Sequence, residues 1–146
     1  MATKVLDSWA LMAFLHDEPA AEEVEKLLVK SAADQHKLLL CVVNWGEIYY
    51  SIARAEGEAV AEQKAADLAT LAIELVPVTD DLQLVREAAK LKASKKMAYA
   101  DCFAAALAKL RGVEVVTGDP EFKEVEGEVK VAWLPKSQNR KEMPLK

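Results

Sequence analysis

The sequence predicts a three-layer α/β/α sandwich built on a parallel sheet, and three observations carry that prediction. Short apolar runs recur along the chain, as expected of strands covered on both faces. Segments with apolar residues at helical spacing separate these runs, which is the pattern of β-α-β units. A length of 146 residues with 52% apolar content is enough for one core and too little for two ordinary domains.

Lys4-Val5-Leu6, ending at Asp7, reads as the first strand, and Leu11, Phe14 and Leu15 then recur at helical spacing. Pro19 stands where a first-turn proline would start a second helix, whose apolar face is Val24, Leu27 and Leu28 and which runs to about residue 33. Lys37-Leu38-Leu39-Leu40-Cys41 is the second strand. The stripe Trp45, Ile48, Tyr49, Ile52 makes a helix from about 43 to 56. After Gly57 an Ala-rich helix carries Leu68, Leu71, Ala72 and Leu75. Leu75-Val76-Pro77-Val78 is too short for a helix and suggests a third strand. Thr79 or Asp80 caps a helix to about 92, and a further helix from about 99 to 111 stops at Gly112. Val113-Glu114-Val115-Val116 is the fourth strand, a short helical turn follows Pro120, and Val129-Lys130-Val131-Ala132-Trp133 is the fifth. One domain is expected over residues 1–135. Residues 136–146, with Lys136, Arg140, Lys141 and Lys146, are polar, basic and aperiodic and are expected to form a flexible tail.

Composition narrows the function classes. Five Gly, five Pro and no internal repeat exclude a solenoid or a low-complexity chain. Cys41 and Cys102 lie in apolar surroundings, which suits buried thiols in a reducing compartment, so a cytoplasmic protein is expected. Nowhere do 18 uncharged apolar residues occur in a row, and no membrane span or secretion signal is expected. The balance of 19 Lys plus Arg against 24 Asp plus Glu argues against binding nucleic acid by bulk electrostatics. Divalent ions weaken that objection, because they turn a cluster of carboxylates into a phosphate binder. Basic residues also cluster at Lys92, Lys95 and Lys96.

In open parallel sheets, ligands bind beyond the carboxyl ends of the strands where strand order reverses, so acids that directly follow strands carry the most information. Asp7 follows the first strand, and Asp119 follows the fourth by way of Thr117-Gly118, a glycine that would let the chain turn sharply. Each acid also has a structural reading. Asp119-Pro120 is what an N-cap followed by a first-turn proline looks like, Asp7 alone reads as a turn or cap, and Glu47 lies off the apolar stripe of its helix. Asp101 differs, because its own face is completed by Ala104, Ala105 and Ala108. An acid buried there is destabilising, and a place in the first helical turn returns only about 0.3–1 kcal/mol. A metal ion or a close cationic partner accounts for it better. Hard oxygen donors with no His or Cys set point to Mg²⁺ or Mn²⁺ rather than zinc. His16 and His36 read as surface residues. No nucleophile elbow or Gly-rich phosphate loop is present, so catalysis would rest on metal-activated water and on stabilisation of an in-line phosphoryl transition state.

Taken together, Val5-Leu6-Asp7-Ser8, Asn44-Trp45-Gly46-Glu47, Tyr99-Ala100-Asp101-Cys102-Phe103-Ala104 and Val116-Thr117-Gly118-Asp119-Pro120-Glu121-Phe122 resemble the PIN-domain family, specifically the VapC-type ribonuclease toxins of prokaryotic toxin–antitoxin pairs. The resemblance spans residues 4 to 134. Each motif is weak alone, but the four in this order and spacing are fairly specific. The resemblance implies a five-stranded parallel sheet of order 3-2-1-4-5 and a Mg²⁺- or Mn²⁺-dependent endoribonuclease that hydrolyses RNA phosphodiester bonds. It also implies a cognate antitoxin with a segment covering the active site. By position, Asp7, Glu47, Asp101 and Asp119 would be the catalytic, metal-binding quartet, supported by the hydroxyls of Ser8 and Thr117, with Glu121 where some relatives have a further acid. Trp9 departs from the small residue often found at its position, a change to the shape of the cleft that leaves the quartet intact.

Two other readings stay open. One is a non-catalytic module of the same fold that docks a protein partner. The other is a phosphoacceptor receiver domain, which wants paired acids after the first strand and an acceptor Asp after the third. Here Asp7 is followed by Ser8-Trp9, and the third strand by Asp80-Asp81 at a helix cap. Trp45, Tyr49 and Tyr50 fit a homodimer surface and core packing about equally well.

Overall fold

The computed structural model describes residues 2–135, and the expected basic tail at 136–146 lies outside them. The elements run β1 (Ala2–Leu6), α1 (Ser8–Leu15), α2 (Ala21–Ala32), β2 (His36–Cys41), α3 (Val42–Glu56), α4 (Glu58–Ala69), β3 (Glu74–Val76), α5 (Gln83–Ser94), α6 (Tyr99–Arg111), β4 (Glu114–Thr117), a 3₁₀ turn (Pro120–Val125) and β5 (Val131–Trp133). The strands form one parallel sheet of order β3-β2-β1-β4-β5.

Alternate residues of each strand face opposite layers, and the core divides accordingly. Val5, Leu39, Cys41 and Val115 pack beneath α5, α6 and the 3₁₀ turn, through Leu84, Ala88, Leu91, Phe103, Leu107 and Phe122. Leu6, Leu38, Leu40 and Val116 pack against α1 to α4, through Leu11, Val24, Ile48, Ile52 and Leu68. Both faces of every central strand are therefore apolar, which is why these strands read as unbroken runs. Helix α6 is the most enclosed, since every residue from Asp101 to Ala108 is buried. Both cysteines are buried free thiols. Among the described residues no helix is long and apolar enough to cross a membrane.

Several boundaries differ from the expectations above, among them the third strand, which is Glu74–Val76 and leaves Pro77 and Val78 outside it. Helix α2 starts at Ala21, so Pro19 lies outside it rather than in its first turn. Helix α4 ends at Ala69, and Leu71 and Leu75 fall beyond it. Neither Thr79 nor Asp80 caps α5. The cap position is Leu82, in the left-handed region with φ 65°, and the Asp81 carboxylate accepts the Gln83 N–H while Thr79 donates its hydroxyl to Asp81. Strand β5 begins at Val131, because the Val129 N–H is spent on the Val125 carbonyl at the end of the 3₁₀ turn. Of the three aromatic residues considered for a homodimer surface, Trp45 and Tyr49 stack at 5.6 Å and pack on the core, while Tyr50 is half exposed under Arg54.

Two glycines test the local rules. Gly112 ends α6 with φ 65°, a conformation that costs a side-chain-bearing residue about 1 kcal/mol, whereas Gly46 lies inside α3 with open space around it. Denaturant unfolding should show Gly112→Ala destabilised by about 1 kcal/mol and Gly46→Ala stabilised by a similar amount. A Gly112→Ala protein as stable as wild type would contradict the assigned cap.

Candidate functional site

Strand order reverses at β1 and β4, and their register pairs Leu6 with Val116. The next residue on each strand is therefore Asp7 beside Thr117, at the carboxyl edge of the sheet. The Thr117 hydroxyl donates to Asp7 Oδ2 at 2.5 Å, and the Ala10 N–H donates to Asp7 Oδ1 at 2.9 Å. Asp7 is thus the N-cap of α1 and a wholly buried member of the site at once.

A chain of hydrogen bonds continues around the cleft. Thr117 Oγ1 accepts the Asp119 N–H at 3.0 Å, Asp119 Oδ1 accepts the Glu121 N–H at 2.9 Å, and Glu121 Oε1 accepts the Ala98 N–H at 3.0 Å. That last bond ties the 3₁₀ turn to the start of α6, three residues before Asp101. Asp119 also serves as both cap and site residue, since it starts the 3₁₀ turn. On the other side, Ser8 Oγ donates to Glu47 Oε1 at 2.5 Å, and Asn44 Nδ2 donates to the Ala100 carbonyl at 2.9 Å, which fixes α3 against α6 beside Asp101.

The carboxylates of Asp101, Asp119 and Glu121 have oxygens within 4.8 Å of one another. Their electrostatics reach the rest of the cluster. Burial, opposed by the bonds from Thr117 and Ala10, pushes the Asp7 carboxyl up to about 7, with the charges of Asp119 and Glu47 adding to the rise. Burial first and a hydrogen bond to Glu121 second raise Asp101 far above the carboxylate range, with Asp119, Asp7 and Glu47 contributing, and the same bond lowers Glu121. Within this pair Asp101 is the carboxyl that favours its protonated form. Asp119 is raised by burial.

A close cationic partner for Asp101 does not exist among the described residues. No Lys or Arg there forms an ion pair with Asp7, Glu47, Asp101, Asp119 or Glu121. Lys92 lies near enough to lower Glu121, but its ammonium donates to the Met97 carbonyl at 2.8 Å. The arrangement is five neighbouring carboxylates, two of them almost wholly buried, with no ion pair to any of them among the described residues. This all-oxygen, acidic donor set fits a hard divalent cation. The buried Asn44 Oδ1, which has no hydrogen-bond partner, leaves a further oxygen unsatisfied on the α3 side.

Of the four predicted acids, Asp101 and Asp119 lie with Glu121 in one close group, Asp7 and Glu47 are near enough to raise Asp101 by their charge, and Ser8 and Thr117 bond Glu47 and Asp7. Gly118 behaves differently from the expectation. Its φ lies outside the left-handed region, so it does not serve a sharp turn, and it lacks a side chain because the Trp9 ring occupies that space. Asn44, at the start of the second motif, ties α3 to α6 through its bond to the Ala100 carbonyl, a role the motif alone does not indicate. Its i, i+3 spacing to Glu47 puts both on one face of α3, which was the available signal. His16 is exposed and bonded to Glu56, whereas His36 is half-buried at the start of β2, the sheet edge opposite the acids, rather than a free surface residue. The receiver alternative fails on topology, because β3 is an edge strand and Asp80-Asp81 lie away from Asp7.

The chain belongs to the PIN-domain family, whose model matches residues 4–128. A search of curated proteins found no match. Solved structures of the same fold include a DNA-bound VapBC from Salmonella typhimurium, with TM-score 0.69 and 14% identity over 90% of this chain and 98% of that one. Another is VapBC2 from Rickettsia felis bound to a promoter DNA fragment, with TM-score 0.67 and 12% identity over 91% and 99%. VapC20 from Mycobacterium tuberculosis, described as a toxin that cleaves the sarcin-ricin loop, has TM-score 0.65 and 17% identity over 92% and 100%.

The raised pKa of Asp7 has a definite consequence for stability. A carboxyl whose folded pKa lies above its unfolded value stabilises most below the unfolded pKa and loses that contribution as pH rises through the folded one, here from about pH 4 to beyond pH 7. Asp7→Asn cannot ionise. In chelator, urea unfolding at pH 5 and pH 8 should show the stability difference between the two proteins moving toward the variant by about 3 kcal/mol at the higher pH. A difference independent of pH would show that Asp7 is an ordinary capping carboxylate.

Proposed function

We propose that this chain is a Mg²⁺- or Mn²⁺-dependent endoribonuclease and the toxin of a toxin–antitoxin pair. The observation that carries the reading is the convergence of Asp7, Glu47, Asp101, Asp119 and Glu121 at the switch point of a PIN domain, with no cation paired to any of them among the described residues. Burying such a cluster is costly unless an ion compensates it, and a docking surface gains nothing from that cost. Asp7, Asp101, Asp119 and Glu47 would hold the metal. A divalent ion bound there supplies an activated water and neutralises the charge that develops on the phosphoryl oxygens.

The remaining work falls to the chain. Thr117 and the Ala10 N–H fix both oxygens of Asp7, so its orientation is set before any ligand arrives. Ser8 holds Glu47, and the Glu121–Ala98 bond holds the 3₁₀ turn against α6, so the acids from four separate elements keep their spacing. Asp101, raised by burial and by its bond to Glu121, would have to be deprotonated to hold a cation. A chain of net charge -5 would accept a polyanion at this one place only with a cation held there. Likeness to a structure described as a toxin–antitoxin complex from Klebsiella pneumoniae, and to a member of the VapBC family of toxin–antitoxin systems from Mycobacterium tuberculosis, supports a cognate antitoxin as the protein partner. A short open reading frame directly upstream, encoding a DNA-binding domain, is the expected genomic neighbour.

Purified protein should cleave single-stranded RNA with Mg²⁺ or Mn²⁺ and stop in excess EDTA. Asp7→Asn and Asp101→Asn should each lower the rate by at least about 10²-fold while circular dichroism reports a retained fold. Cleavage that persists in EDTA would rule out the metal mechanism. Mn²⁺ binding without cleavage of any RNA offered would instead favour the non-catalytic docking module.

A further inference from the structure

We infer that Trp9 is a positioning residue: its indole, seated on the bare Cα of Gly118, sets where the loop carrying Asp119 stands relative to Asp7. The inference rests on the metal-site reading above and concerns what holds that site in register.

Trp9 lies in the first turn of α1, two residues after Asp7, half-buried and packed on the core beneath α1 to α4. Gly118 is buried between Thr117, whose hydroxyl bonds Asp7, and Asp119. A Cβ placed on Gly118 would overlap three atoms of the six-membered ring of Trp9, namely Cη2, Cζ3 and Cζ2. The backbone of Gly118 is one that any residue adopts, so conformational freedom does not explain the glycine there. Space does. A large ring at position 9 and no side chain at position 118 are two halves of one fit, between residues far apart in sequence.

The indole is suited to this role because it is rigid, with only two side-chain torsions, and its base is held in the core. The loop it touches is also tied to the β1 end through Thr117, whose Oγ1 accepts the Asp119 N–H at 3.0 Å and whose hydroxyl donates to Asp7. Asp7 and the ring leave the same end of β1, so the contact transfers the position of β1 to Asp119. Asp119 in turn holds the Glu121 N–H. Any ring displacement would therefore shift two carboxylates against the other three.

The test is a double-mutant cycle read by calorimetric Mn²⁺ titration of chelator-stripped protein, with the metal-free fold checked by circular dichroism. Gly118→Ala should weaken Mn²⁺ affinity tenfold or more, because the methyl and the ring cannot share the space. Trp9→Phe/Gly118→Ala, in which the smaller ring makes room, should bind within about threefold of Trp9→Phe alone. Should Gly118→Ala fail to fold, the last two proteins carry the test by themselves, and a loss of tenfold between them overturns the inference. Gly118→Ala that binds Mn²⁺ as wild type does overturns it as well. Wild type that binds no Mn²⁺ overturns the metal site and this inference with it, which separates the two failures.

Discussion

The parallel pairing of β1 with β4 is the constraint on which the rest of the structure depends. It exists because Val5, Leu6, Val115 and Val116 are apolar on both faces and must be covered by helices on both sides. Once Leu6 stands beside Val116, Asp7 and Thr117 are neighbours beyond the last ladder position, and a hydroxyl–carboxylate bond follows. The crossovers to β2 and to β5 leave the pair in opposite directions, so a crevice opens above it. Helix α6, lying over the same strands, delivers Asp101 into that crevice from the most enclosed part of the molecule.

Stability and function oppose each other at this point. Asp7 and Asp119 each satisfy a backbone N–H at the start of a helical segment, which stabilises, and each adds charge to a buried cluster, which destabilises. Capping is worth about 1 kcal/mol, whereas holding an ionised carboxyl in a dry site costs several, so the cluster is a net burden to the metal-free fold. Burial and the bond to Glu121 raise Asp101, so it favours its neutral form and eases part of that burden. A divalent ion held there would relieve the rest and raise stability in line with its affinity.

Much of this was legible in the sequence, and the illegible parts share a cause. The strands could be read because a doubly covered strand has to be apolar throughout. Asp7, Asp101 and Asp119 could be read because they sit one or two residues past a strand or in the first turn of an alanine-faced helix, whereas Glu47 entered only through the resemblance of its motif. The start of α5 could not, since it depends on Leu82 adopting a left-handed conformation that neither Thr79 nor Asp80 announces. The end of α4 was overrun because Leu71 and Leu75 continue its apolar pattern after the helix has stopped. The Asn44 tie to Ala100 and the fit of Trp9 on Gly118 are contacts between distant segments. Local spacing carries no information about such contacts, and Gly118 in particular looks like a turn residue until its neighbour is seen.

The central claim is that the buried acids form a cation site whose protons are displaced by the ion. Counting those protons tests it most directly. Mn²⁺ is titrated at pH 6.5 in two buffers of different ionisation enthalpy, and the difference in apparent heat gives the number released per ion bound. With Asp7 pushed up to about 7 and Asp101 higher still, the account predicts release of about one to two protons. Binding with no proton release, or no binding at all, would contradict it.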